Sequence, residues 1–138
     1  EALRTKAIAA NPEITALSKE IQIERGKQVY MQTCFVCHQP GGQGLPGQIP
    51  PLANADYLMS DKERSIRYVL QGASGEIIVN GQKFNGTMAP LNYLSDDDIA
   101  NVLTFVRNSW GNSGAPVSAT EVRRIRGEAP AVQLPSFE

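Results

Sequence analysis

Both cysteines and the only histidine of the chain fall in one five-residue stretch, Cys34-Phe35-Val36-Cys37-His38. Two thiols three positions apart on a helical turn can each add to a vinyl group of haem, giving two thioether bonds. The adjacent imidazole then lies close enough to ligate the iron, so C-x-x-C-H reads as c-type haem attachment. The expected cofactor is one covalently bound haem c, attached through Cys34 and Cys37, with His38 as an axial ligand.

Other chemistries for the stretch are weaker. A thioredoxin-like Cys-x-x-Cys would follow a buried strand and open the helix of a βαβ unit, whereas residues 21–33 are amphipathic and helical. A structural zinc site closes with four ligands, typically Cys or His, and the chain holds only three such residues. A plain Cys34–Cys37 disulfide leaves His38 unexplained.

A haem iron held by one histidine needs a sixth ligand to stay closed to oxygen. With no second histidine, a methionine sulfur is the natural candidate, and His/Met ligation raises the reduction potential. The chain has 3 methionines. Met31 lies one turn before Cys34 and cannot cross the ring, and Met59 sits beside a helix start, where it suits core packing. Met88, in Asn85-Gly86-Thr87-Met88-Ala89-Pro90, is expected in an irregular loop long enough to reach the far face. It is the predicted second axial ligand.

Elements must hold these residues in place. Asn11-Pro12-Glu13 has the form of an N-cap, a first-turn proline and a dipole-favoured acid. Ile21, Ile23, Val29 and Tyr30 form a helix running into the haem motif, with Gly26 inside it. A mid-helix glycine costs roughly 1 kcal/mol relative to alanine, which is offset when another helix crosses against its bare backbone. The stretch Gln39 to Leu52 is too rich in glycine and proline for regular structure, yet it ends in the stiff, apolar Ile49-Pro50-Pro51-Leu52. A ligating imidazole usually donates its other N–H to a carbonyl or carboxylate. The Pro50 carbonyl is the predicted acceptor, because proline fixes its own φ.

Further on, Ser60 and Glu63 have capping-box spacing, opening a helix with Ile66, Val69 and Leu70 on one face and Gly72 as its stop. Asn80-Gly81 between short β-favouring runs is a strong hairpin signal; such a hairpin is marginal alone and is expected to lean on the haem edge. Ser95 before Asp96, Asp97 and Asp98 caps a last core helix. That helix carries Ile99, Val102, Leu103, Phe105 and Val106, and Trp110-Gly111 is its expected end. It is the partner Gly26 requires, with Phe105 near Gly26 and Tyr30. Ser118 with Glu121 is another capping box, read as a short surface helix followed by a tail.

Composition narrows the class. The chain has 138 residues, 41% of them apolar, and a net charge of −1, which gives no basic nucleic-acid footprint. No apolar run approaches the roughly 18 residues of a membrane span. Glu1-Ala2-Leu3-Arg4 is polar, without a signal peptide, so a mature chain or an excised piece is expected. Thioether attachment in bacteria is completed outside the cytoplasm, which implies a periplasmic location. The expected organisation is an arm over 1–20, a core domain over 21–111, and a surface helix and tail over 112–138.

In order, Gly26-Lys27-x-x-Tyr30, Cys34-x-x-Cys37-His38, Pro50-x-Leu52, Met88 and Leu103-Thr104-Phe105 resemble a class I cytochrome c over roughly residues 20 to 110. The resemblance implies an all-α fold, a small shell around one haem, here with a short β-hairpin and extended N- and C-terminal segments. It implies crossing first and last helices, Tyr57 and Phe84 in the haem pocket, and electron carriage rather than substrate chemistry. A narrower likeness is to the haem-c domain at the C-terminus of three-domain copper nitrite reductases. It rests on Gln43-Gly44-Leu45-Pro46-Gly47, Ala55-Asp56-Tyr57-Leu58, the Asn80-Gly81 hairpin, Met88 and Asn108-Ser109-Trp110-Gly111. It implies donation to a type 1 copper site, in denitrification from nitrite to nitric oxide, and a homotrimer if fused but a monomer if isolated. The chain has no copper-binding histidine set, so it is not expected to be an enzyme on its own. The alternatives are a free-standing periplasmic cytochrome serving another reductase or dehydrogenase, an open-site haem enzyme or sensor, and a structural haem domain. Electrons are expected to leave near Cys37, through a rim of Phe35, Leu45, Pro46, Ile49 and Met88-Ala89-Pro90.

Overall fold

The computed structural model describes residues 12–128. The elements are α1 (Pro12–Thr33), α2 (Phe35–His38), α3 (Asp56–Ser60), α4 (Lys62–Gln71), β1 (Ala73–Val79), β2 (Gln82–Met88), α5 (Asp96–Val106) and α6 (Ala119–Arg126). About half of the described residues are helical, and the two strands form one antiparallel hairpin. Asn11, the expected cap of α1, lies outside the described residues, and Pro12 is the first residue described in that helix.

The crossing of α1 and α5 is the frame of the molecule. A Cβ on Gly26 would lie 1.9 Å from the Asn101 carbonyl oxygen and 2.8 Å from Phe105 Cβ, so only a bare backbone fits. Tyr30, fully buried, packs its ring 5.5 Å from Phe105 and 5.2 Å from Trp110. These aromatic contacts lock the C-terminal half of α1, and the attachment motif that follows it, onto α5.

The hairpin forms where Asn80-Gly81 predicts it. Both turn residues have positive φ, 52° and 80°, and β1 pairs antiparallel with β2 from Ala73↔Met88 to Val79↔Gln82. Its tip is tied to α3: Asn80 N–H donates to Asp56 Oδ1 at 2.8 Å, and Asp56 N–H donates to Asn80 Oδ1 at 3.0 Å. Its other strand lies against the glycine-rich loop. Asn85 N–H donates to the Gly47 carbonyl at 3.0 Å, and a Cβ on Gly86 would meet the Gln48 carbonyl at 2.4 Å.

Four expectations need correction. Met88 is not in an irregular loop but is the last residue of β2, because the hairpin register extends pairing to it. The cap of α4 is Asp61, not Ser60. Asp61 has extended backbone and accepts from Arg64 N–H at 3.0 Å, while Ser60 closes α3 and its hydroxyl accepts from Arg64 Nη2. Helix α5 stops at Val106 rather than at Trp110-Gly111, and the residues after it turn Trp110 back onto Tyr30 and Phe105.

Finally, α6 is no surface appendage. Val117, Val122 and Ile125 are fully buried in the same core as Ile66 and Ile99. Thr104 Oγ accepts from Val117 N–H at 2.9 Å and Gln22 Nε2 donates to the Val117 carbonyl at 2.7 Å, sewing this segment to α5 and α1. The capping box at Ser118 and Glu121 forms as read. Since α1 also runs unbroken through residues 20 and 21, the divisions at 20/21 and 111/112 are compositional, and packing crosses both.

Candidate functional site

Between the attachment motif, the hairpin, α4 and α5 lies a mainly apolar cavity of about 280 Å³. A water molecule takes up about 30 Å³ of liquid, so this is a ligand-sized space rather than a packing defect. Cys34, Cys37, His38, Pro50, Tyr57, Phe84 and Met88, the residues singled out from the sequence, all line it.

One wall comes from the chain around the motif. The backbone turns from α1 into α2 through Cys34, whose N–H donates to Tyr30 O at 2.9 Å and whose carbonyl accepts from His38 N–H at 3.0 Å. This one-turn geometry brings both thiols and the imidazole to the same cavity. Neither cysteine is in a disulfide. Burial pushes the Cys34 thiol up, opposed by the Thr33 hydroxyl and reinforced by Cys37.

His38 Nδ1 lies 3.2 Å from the Pro50 carbonyl oxygen. A carbonyl can only accept, so the contact assigns the proton to Nδ1 and leaves the Nε2 lone pair free for a metal. Burial lowers the imidazole's proton affinity, with the Pro50 carbonyl acting in the opposite sense. The loop carrying Pro50 is itself held. Gly44 N–H donates to His38 O at 3.1 Å, and Asn112 Nδ2 donates to Leu52 O at 2.7 Å and Val106 O at 2.8 Å.

The remaining wall is assembled from distant segments. Met88 sits half-buried at the end of β2, and of the three methionines it alone lines the cavity. Phe84 is buried from the same strand, and Ile77 and Val79 contribute from β1. Val102, Leu103 and Val106 of α5 close the back.

Sequence reasoning missed a polar corner. Tyr57 and Tyr68 share a hydroxyl–hydroxyl hydrogen bond of 2.7 Å, and the Arg64 guanidinium lies 3.6 Å from the Tyr57 ring centroid while donating to the Tyr57 carbonyl. Burial, then the bond to Tyr57, pushes the Tyr68 phenol up to about 12. The signal was available: Arg64 and Tyr68 are four apart on α4 and so share a face.

The donor set fits an iron porphyrin. It offers one neutral imidazole nitrogen and one thioether sulfur on a common apolar cavity, two thiols at its edge, and a cationic corner suited to carboxylates. Among the described residues no group of three or more His, Cys, Asp or Glu could hold a bare metal ion. The family model described as Cytochrome c matches residues 23–110. The chain belongs to the cytochrome c family. Its cofactor is therefore covalently attached haem c, and its activity is electron transfer.

Cytochrome c-552 of Thermus thermophilus is 38% identical over 112 residues, covering 75% of this chain and 85% of that protein. The cytochrome c subunit of the quinone alcohol dehydrogenase of Gluconobacter oxydans is 32% identical over 114 residues, 80% of this chain but 23% of that subunit. The cytochrome c subunit of gluconate 2-dehydrogenase from Pantoea cypripedii is 32% identical over 115 residues, 80% of this chain and 26% of the subunit. Two of these relatives are cytochrome c subunits of dehydrogenases, and none of the three is a nitrite reductase. No helix among the described residues is long and apolar enough to cross a membrane.

Proposed function

We propose that this domain is a periplasmic one-electron carrier, with Cys34 and Cys37 holding the haem thioethers and His38 and Met88 as the axial ligands. The bound haem supplies the chemistry, a reversible one-electron change at iron. The observation that carries the reading is the convergence of His38, fixed by Pro50, and Met88, fixed by the hairpin register, on one apolar cavity. The protein's own part is to orient and to exclude. Pro50 fixes the imidazole tautomer, Phe84 and the α5 residues keep water from the iron, and the Arg64–Tyr57–Tyr68 corner receives the haem carboxylates. With His38 held by Pro50 and Met88 by the hairpin, these two residues would hold the iron with little rearrangement of the protein when an electron arrives.

Val36, Leu45, Pro46, Ala89 and Pro90 are exposed, while Phe35, Ile49 and Met88 are half-buried, and of these Ile49, Met88 and Ala89 line the cavity. A small apolar rim suits the brief, low-area encounters of redox partners. The proposed partner is a dehydrogenase that delivers single electrons. A copper nitrite reductase core has only the motif likeness in its favour.

The test is Met88→Ala in the haem-loaded protein. The haem is expected to remain attached, the iron to begin binding carbon monoxide, and the midpoint potential to fall. An unchanged ferric spectrum and potential would overturn Met88 as a ligand. Stopped-flow mixing separates the partners. Rapid reduction by a quinone-dependent dehydrogenase supports the proposal, and exclusive turnover with a copper nitrite reductase core replaces it with the other reading.

A further inference from the structure

Arg107, the residue that ends α5, is buried, with 6% of its surface exposed. Its Nη1 donates to the Leu58 carbonyl at 3.3 Å, while its Nε has no protein partner. Among the described residues no carboxylate forms an ion pair with it. The nearest acid acting on it, Glu121, is engaged by Lys62 at 2.9 Å and by the Ser118 cap. A guanidinium stays protonated in proteins, so this is a buried charge without an ion-pair partner, offset only through space by Glu121. It also abuts the cavity. Leu58, its hydrogen-bond acceptor, and Val106, its chain neighbour, both line the wall. Arg64, the cation lining the cavity itself, is by contrast half-exposed and faces the corner assigned to carboxylates.

We propose that Arg107 is a potential-setting residue, whose fixed positive charge behind the cavity favours the reduced state of the domain. The inference rests on the haem reading above. Accepting one electron from a partner lowers the charge of the site by one, and no proton has to move. A largely buried cation nearby stabilises that added negative charge, and salt screens it less than it would an exposed one. At an effective dielectric near ~20, a unit charge about 12 Å away shifts such an equilibrium by about tenfold, which for a one-electron couple is about 59 mV.

The experiment is the midpoint potential of haem-loaded variants, measured by spectroelectrochemistry alongside the optical signature of ligation. Arg107→Met, which keeps the bulk and removes the charge, is expected to lower the potential by about the tenfold equivalent, and Arg107→Lys is expected to keep it near wild type. A second route leaves Arg107 in place. A Cβ on Gly114 would lie 3.0 Å from Arg107 Nη2, and its 2.7 Å approach to Met59 Cε involves only the free end of a flexible side chain. Gly114→Asp therefore puts a carboxylate beside the guanidinium and is expected to lower the potential in the same direction. Either charge-removing variant, loaded and ligated as wild type but with an unmoved potential, overturns the role. So does an equal fall in Arg107→Lys, which marks a merely structural contribution. Loss of the ligation signature in the unsubstituted protein would instead overturn the haem reading itself.

Discussion

The two walls of the cavity are built in different ways. The attachment wall is nearly contiguous in sequence: Cys34, Cys37 and His38 lie on one turn, and Pro50 is 12 positions on. The methionine wall is assembled from β1, β2, α4 and α5, and Met88 is positioned through pairing with Ala73, the Asn85–Gly47 hydrogen bond and the contact of Gly86 with Gln48. The first is local chemistry and the second is tertiary geometry. Damage to the first should therefore abolish the cofactor, whereas damage to the second should leave it attached but poorly ligated.

The hardest test of that contrast is Cys34→Ser with Cys37→Ser. The purified chain is expected to retain no haem through acid–acetone extraction, and retained pigment would break the comparison. Next comes Gly26→Ala, which strikes the crossing that holds both walls. The new Cβ meets backbone at 1.9 Å, and the cost is expected near ~3 kcal/mol, the upper end for overpacking. A thermal midpoint within a few degrees of wild type would show that the helices can slide apart cheaply.

Gly86→Ala sharpens the contrast by loosening the methionine wall alone, since its Cβ runs into Gln48 O. Stability is expected to fall by about 1–3 kcal/mol, with haem retention unchanged and carbon monoxide binding appearing. Equal loss of haem would mean the walls are not separable.

The smallest effect lies away from both. Burial raises the Glu121 carboxyl, but the Ser118 N–H and Lys62 outweigh it and hold the group below the usual carboxylate value. A folded-state value below the unfolded one gives stability that is present at neutral pH and lost as pH falls through the folded value. Glu121→Gln keeps the capping geometry and is expected to cost only ~0.5 kcal/mol near pH 7. That difference should vanish in acid, and a denaturant midpoint difference that is constant with pH would overturn the assignment.

The pattern of what could be read in advance follows the same division. The helix crossing was legible because glycine at 26 makes sense only against another backbone. The hairpin was legible because Asn80-Gly81 encodes its own turn. Met88 could be named by elimination, but its place at a strand end could not, because nothing local says how far pairing continues. Ser60 and Asp61 are both good caps, and only the extended backbone of Asp61 chose between them. The Arg64–Tyr57–Tyr68 corner was missed because it joins two short helices, although half of it had helical spacing.

Sequence alone determined the class of chemistry: two thiols and one imidazole within five positions mark covalent haem attachment. Those identities act through covalent and coordinate bonds, which depend on residue type and on spacing within a turn. Tertiary structure decided the rest. It drew Val117, Val122 and Ile125 into the core, and it buried Arg107 with no ion-pair partner among the described residues. Burial and field strength are properties of everything packed around a residue, and no single stretch of chain contains them.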